Sequence, residues 1–384
     1  MKAALYIHVP FCIQKCYYCD FYSIKAEAHL IDNFIKAAKI EIELYSKHPI
    51  FSNIEFDTIY LGGGTPSLFS ASQISDLFQH AQNIFHFNEN LEFTLEANPE
   101  TLSISKLKDY YSAGINRISI GVQSFSNSEL QLLGRFHNAD QARECISWAI
   151  QTGFDNISLD LIFAIPGQSL TEWQVNLNEA IHYKPEHISI YGLTIEPGTR
   201  LESEISSGKL SKVSEETEAE MYLSAVKILA NHGYQQYEIS NFSLPDFQSK
   251  HNSMYWNGSP YLGIGPSAHS FWQSRRQWNI NSIDQYLNLI YHKQKPIGGF
   301  EKLSNEQKMM EFIYLNLRTV QGLEMKQFKN EFHLDFGIKF QNVLNKMADY
   351  SNSKLYNFEH ERFKLTTRGF ILFDEICQQF ADAV

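Results

Sequence analysis

The chain has 384 residues, 43% of them hydrophobic, with 32 Lys and Arg against 43 Asp and Glu and a formal net charge of −11. That size and apolar content suit one large domain plus a smaller one. The acidic balance, with no basic run to neutralise phosphates, excludes nucleic acid as an expected partner, and no stretch approaches the roughly 18 apolar residues of a membrane span. Lys2–Ile7 runs straight into His8 and Pro10 without signal-peptide features, so the expected location is cytoplasmic.

The first apolar run, Ala3–Val9, leads through Phe11 into a C-x3-C-x2-C array, Cys12, Cys16 and Cys19. Three thiolates can hold three irons of a 4Fe-4S cube and leave the fourth open to a small ligand. A zinc site completed by His8 or Asp20 is the alternative reading of the same spacing. A helical pattern over 26–45 precedes the second run, Thr58–Leu61, which ends in Gly62-Gly63-Gly64-Thr65-Pro66. Consecutive glycines let the backbone approach a ligand closely.

The runs Leu91–Leu95, Arg117–Val122, Asn156–Ile162 and His187–Leu193 then alternate with helical patterns at 70–85, 103–113, 139–152, 171–182 and 214–232. This is the β-α alternation of a parallel sheet, and Gly114, Gly153 and Gly233 stand where helix C-caps belong. Glu96, Gln123, Thr194 and Glu196 follow strand ends and Asp160 interrupts an apolar run. In a barrel-like α/β fold such polar residues mark the face that lines a pocket. Cys145 and Cys377, among apolar helical residues, read as buried, inert thiols.

After Gly233 the alternation stops. Residues 234–295 read as an aromatic, loop-rich extension with turns at Ser259-Pro260 and Gly265-Pro266. From 296 onward, helical patterns (Asn305–Leu317, Met325–Glu331, Ile338–Asp349) precede two strand-like segments, Leu355–Phe358 and Arg362–Leu365. This suggests a winged-helix-like domain over 296–384, beside a barrel over 1–233.

Taken together and in order, several motifs resemble the radical S-adenosylmethionine (SAM) family. They are Ile7-His8-Val9-Pro10-Phe11-Cys12, Cys16-Tyr17-Tyr18-Cys19-Asp20-Phe21, Gly62-Gly63-Gly64-Thr65-Pro66-Ser67, Glu96-Ala97-Asn98-Pro99, Gly121-Val122-Gln123-Ser124-Phe125, Asp160-Leu161-Ile162 and Tyr237-Glu238-Ile239-Ser240-Asn241-Phe242. Within that family they look most like the HemW branch, relatives of the oxygen-independent coproporphyrinogen III oxidase HemN. The resemblance covers essentially the whole chain and implies an α/β fold, a partial (β/α)6 radical-SAM barrel with a small C-terminal winged-helix-like domain.

It further implies that Cys12, Cys16 and Cys19 ligate a 4Fe-4S cluster whose open iron takes the amino and carboxylate groups of SAM, with an electron donor for the cluster. Tyr6, Gly63, Gly64 and Thr65, with Glu96, Gln123, Arg135 and Asp160 further along, would contact SAM, and Tyr18 would lie near its adenine. The chemistry agrees: Glu96 suits an ammonium, Arg135 offers a fork to a carboxylate, and Asp160 suits ribose hydroxyls.

Two features separate the branches. Oxidases of the HemN type carry a further cysteine two residues after the third cluster ligand, where this chain has Phe21. The segment His251-Asn252-Ser253-Met254-Tyr255-Trp256 matches the HNxxYW signature that the HemW branch associates with heme. His251 would be an axial ligand, Tyr255 and Trp256 would stack on the macrocycle, and Asn252 would orient the ring or a propionate. His269 ranks as a second candidate ligand and His8 as support for the thiolates. The implied function is a heme chaperone delivering heme to apo-proteins; coproporphyrinogen III oxidation through a 5'-deoxyadenosyl radical is the alternative. Peripheral membrane contact and a homodimer are further implications of the resemblance.

Overall fold

The structure, a computed structural model, describes residues 2–349 and 354–384. Six strands, β1 (Lys2–Val9), β2 (Glu55–Gly63), β3 (His86–Ala97), β4 (Arg117–Gln123), β5 (Ile157–Phe163) and β6 (His187–Gly192), lie side by side in chain order. Every neighbouring pair among them is parallel. Helices follow them: α1 (Ala28–Tyr45), α2 (Ala71–Gln82), α3 (Ile104–Ser112), α4 (Ala139–Thr152), α5 (Leu170–His182) and α6 (Glu215–Asn231). This is the expected (β/α)6 arrangement.

Local chemistry explains the boundaries. Ser70, Asn138 and Ser169 cap α2, α4 and α5 by accepting a backbone N–H, while Gln73, Gln141 and Glu172 reach back to the capping residue. Two otherwise orphaned donors are satisfied at each helix start. Ile118, Ile120, Val122, Leu159 and Leu161 are buried, because helices and barrel interior cover both sheet faces. A short helix, Asn127–Leu133, ends at left-handed Gly134 (φ +71°) and delivers Arg135 to the barrel mouth.

The extension departs from the loop-rich expectation. β7 (Asn241–Ser243) runs antiparallel to β6, and helix α7 (Lys250–Trp256) carries the His251 motif. β8 (Tyr261–Ile264) then lies parallel to β1 on its other edge. β9 (His269–Trp272), β10 (Arg275–Asn279) and β11 (Ile297–Lys302) follow it, each antiparallel to the one before, and with the two-residue strand Gln235–Gln236 beside β7 the sheet has twelve strands. Strands of four or five residues such as Arg275-Arg276-Gln277-Trp278-Asn279 are too short and polar to display a readable alternation. Because β11 pairs with β10, the sheet also continues past the boundary expected at 296.

The C-terminal segment packs α8 (Asn305–Leu317) and shorter helices against a three-stranded sheet of Leu323–Glu324, Arg362–Leu365 and Tyr356–Glu359. Phe328, Phe336, Phe340, Phe363 and Phe380 fill its interior, giving the winged-helix-like domain anticipated from the pattern. Arg318 at the end of α8 fastens it to the extension, with Nε 3.0 Å from Glu238 Oε2 and the guanidinium 4.6 Å from the Trp256 ring centroid. Among the described residues, no helix is long and apolar enough to cross a membrane.

Glu41 on α1 ties the barrel to the added strands. Its buried carboxylate accepts hydrogen bonds from Tyr286 Oη (2.7 Å), Asn279 Nδ2 (2.7 Å) and the Gly265 amide (2.8 Å). Burial pushes its pKa up to about 7 against the lowering effect of those donors. Replacing Glu41 with Ala strands three buried donors, and we expect a loss of about 2–4 kcal/mol in chemical denaturation, with Glu41→Gln losing less. A loss under about 1 kcal/mol for Glu41→Ala would show that water substitutes freely there.

Candidate cluster and ligand site

The cysteine loop leaves the C-terminal end of β1, so Cys12, Cys16 and Cys19 emerge at the mouth of the barrel. All three thiols are free and half-buried. Burial pushes the Cys19 thiol up to about 11, outweighing a hydrogen bond from the Phe21 amide. Two donors face the other sulfurs, Thr65 Oγ1 at 3.5 Å from Cys12 Sγ and Arg135 Nη1 at 3.5 Å from Cys16 Sγ. Among the described residues, no three His, Cys, Asp or Glu side chains stand in the tight group that one metal ion needs; a cubane takes one thiolate at each of three irons.

The glycine loop closes over this array. Gly63 has φ +105°, and a Cβ there would lie 2.6 Å from the His8 imidazole. A Cβ on Gly64 would meet the Phe11 carbonyl oxygen at 2.6 Å. Any larger residue would push the β2 end away from the cysteine loop. The close approach leaves the Gly63 amide free to donate to Glu96 Oε2 at 3.1 Å, while Tyr60 Oη donates to Oε1 at 2.7 Å.

Beneath the cysteines lies a cavity of about 470 Å³ that takes in all three of them. Of the residues expected to contact SAM, Tyr18, Gly63, Gly64 and Thr65 from the early loops, Glu96, Gln123 and Asp160 from later strands, and Arg135 from the loop after the short helix line it. Tyr6 does not: it faces a second cavity of about 610 Å³, its hydroxyl 3.1 Å from His8 Nδ1. Asp160 accepts from Ser119 Oγ at 2.9 Å, and burial raises its pKa. Gln123 sits at φ +65° beside a break in the β4–β5 register, a strained backbone of the kind that clusters at functional sites.

Arg135 is committed differently from the expected carboxylate fork. Its Nη2 donates to Asn98 Oδ1 (2.7 Å) and the Gly121 carbonyl (3.0 Å), so one edge of the guanidinium is spent on the barrel and Nη1 points to Cys16. Residues outside the expected set also line the cavity, among them Asn98, Arg117 and Tyr60. Asn98 was legible as one more polar residue beyond a strand end. Arg117 opens an apolar run, where a charged side chain ordinarily signals the strand's solvated start; here it is buried inside the barrel.

The HNxxYW residues divide between the cavities. Asn252 faces the cysteine cavity, whereas Tyr255 and Trp256 face the second one. His251 lines neither. It is buried against β2 with Nδ1 2.7 Å from Thr58 Oγ1 and Nε2 2.9 Å from Tyr255 Oη, and its ring stacks on Tyr60 at 4.8 Å. Burial, aided by Arg117, lowers its pKa to about 3. Both ring nitrogens are occupied, so in this arrangement neither faces either cavity with a free lone pair. Asp20, Phe21, Gly63 and Glu96 border both cavities.

Residues 6–180 match the family model of the radical SAM superfamily, and residues 303–372 match the HemN C-terminal domain. The heme chaperone HemW of Bacillus subtilis (strain 168) is 35% identical over 381 residues, covering 99% of both chains. The chain belongs to the HemW family. A mitochondrial radical S-adenosyl methionine domain-containing protein 1 from Danio rerio is 40% identical over 98% of this chain and 86% of that one. Among solved structures, coproporphyrinogen III oxidase (HemN) from Escherichia coli shares the fold with a TM-score of 0.84 at 22% identity, covering 100% of this chain and 90% of that one. Radical SAM membership carries with it the expectation of a 4Fe-4S cluster and SAM, and the free thiols with their facing donors suit it.

Burial pushes the Glu96 carboxyl up to about 7, against the lowering effects of Tyr60 and the Gly63 amide. If Glu96 takes the ammonium of SAM, binding needs its ionised form. Affinity for SAM should then fall below pH 7, approaching about tenfold per pH unit, in calorimetric titrations of reconstituted protein. Glu96→Gln should bind weakly with that slope removed; an unchanged slope in the variant would assign the titration elsewhere.

Proposed function

We propose that this member of the HemW family is a heme chaperone that carries heme as cargo and passes it to heme-accepting apo-proteins. Cys12, Cys16 and Cys19 would hold a 4Fe-4S cluster, and the cavity beneath them would hold SAM. When bound, the cluster supplies an open iron for the amino and carboxylate groups of SAM and an electron for its cleavage. The chain's own residues supply the rest. Arg135 and Thr65 steady the thiolates, Glu96 faces the ammonium, and Asp160 with its serine neighbours presents acceptors and donors to the ribose.

The observation that carries the reading is the second, aromatic cavity sharing a wall with the first, in a chain alike end to end to a protein named heme chaperone HemW. Tyr255, Trp256, Tyr261 and Phe271 give it flat apolar faces of the kind that stack on a macrocycle. Phe21 stands where oxidase-type relatives have a cysteine, which weighs against coproporphyrinogen oxidation.

The test is anaerobic reconstitution with iron and sulfide, followed by hemin titration and a parallel coproporphyrinogen assay with SAM and reductant. Stoichiometric hemin binding without vinyl formation is expected. Rapid conversion of propionates to vinyl groups would overturn the chaperone reading. Replacing Cys12, Cys16 or Cys19 with Ala should abolish the broad cluster absorption near roughly 400 nm; retained absorption would move the cluster to other ligands.

A further inference from the structure

Three imidazoles stand near the aromatic cavity, and their hydrogen bonds separate them. His251 has both nitrogens engaged by Thr58 and Tyr255. His8 is also fully engaged, with Nδ1 3.1 Å from Tyr6 Oη and Nε2 2.9 Å from the Tyr22 carbonyl. Nε2–H must donate to that carbonyl, so Nδ1 accepts from the tyrosine and no lone pair remains. His269 lines the same cavity, is exposed, and among the described residues neither of its ring nitrogens makes a hydrogen bond.

The position of His269 is built rather than incidental. It opens β9, paired across to Trp278 of β10, and its ring lies 6.1 Å from the Trp278 ring in a near-parallel arrangement at 30°. The turn before it is held by Ser267 at φ +64°, a left-handed conformation that costs a non-glycine residue energy. Ser267 also borders the cavity. Phe21 of the cysteine loop, 62% exposed, also lines the cavity and offers it an aromatic face. Arg276 supplies a cation on the wall, held by Glu301 at 2.7 Å and Glu311 at 3.0 Å.

We propose that the iron of a bound heme is ligated by His269, with the macrocycle in the 610 Å³ cavity between Phe21 and the Tyr255–Trp256 wall, and that His251 does not ligate it. The inference rests on the heme-carrier reading and assigns its iron ligand. A neutral imidazole with a free nitrogen is what an axial position requires. The cavity volume falls within the range of roughly 300–1,000 Å³ for small-molecule sites. His251 instead secures Tyr255 from behind the wall, which accounts for a histidine in the motif without iron contact.

The experiment is hemin titration of the full-length protein, followed by optical and electron paramagnetic resonance spectra of wild type, His269→Ala, His269→Tyr and His251→Ala. Wild type should show a histidine-ligated spectrum. His269→Ala should lose that signature and weaken binding roughly tenfold or more, with added imidazole restoring the spectrum. His269→Tyr should give a phenolate-ligated spectrum, a gain that misfolding cannot mimic. His251→Ala should keep the histidine-ligated spectrum even if affinity changes. A wild-type spectrum from His269→Ala, or loss of the histidine signature only in a folded His251→Ala, would overturn the assignment while leaving the carrier reading intact. Failure of wild type to bind hemin would sink both.

Discussion

The backbone ladder of β1 sets the geometry of the ligand face, because this strand is paired in parallel on both edges. Tyr6 stands opposite Tyr60 of β2 on one side and Gly263 of β8 on the other. Side chains alternate along a strand, so Leu5, Ile7 and Val9 go into the core while Tyr6 and His8 face the second cavity. The cysteine loop, the glycine loop and the turn before His269 all leave the same ends of three adjacent strands. Their spacing is therefore fixed by hydrogen bonding between strands roughly 4.8 Å apart, and Glu41 braces the third of those strands from the helix layer.

Much of the barrel was readable because its signals are redundant. α4 was expected over the residues it occupies, since the helical period and Gly153 agree on where it ends. Strands buried on both faces read as apolar runs whose polar interruptions, Glu96, Gln123 and Asp160, face the cavity. The extension was illegible for the opposite reason. β8 to β11 are short, two of them carry charges, and the pairing of β8 with β1 across more than two hundred residues has no local signature.

Single residues were harder than elements. His251 and His269 are the same residue type in similarly aromatic surroundings, and sequence ranked the first above the second. What distinguishes them is the company of each ring: Thr58 and Tyr255 reach His251 from a distant strand and the next helical turn, while His269 faces open space. Arg135 likewise presents a fork in sequence, but Asn98 and Gly121 claim part of it in the folded chain. Chemical type is local, whereas availability of a lone pair or a donor is decided by tertiary packing.

The wall between the two cavities consists of groups already bound to one another. Glu96 receives Tyr60 and the Gly63 amide, and Gly63 leaves room for His8 only because it has no side chain. A molecule that claims Glu96 from one side alters the shape and charge presented on the other. Such an effect is a coupling free energy, and thermodynamics makes it symmetric: whatever factor an occupant of the cysteine cavity imposes on affinity in the aromatic cavity is returned to it in full. In a carrier built on this wall, the sign of that one factor decides whether each occupant holds the other in place or helps to expel it.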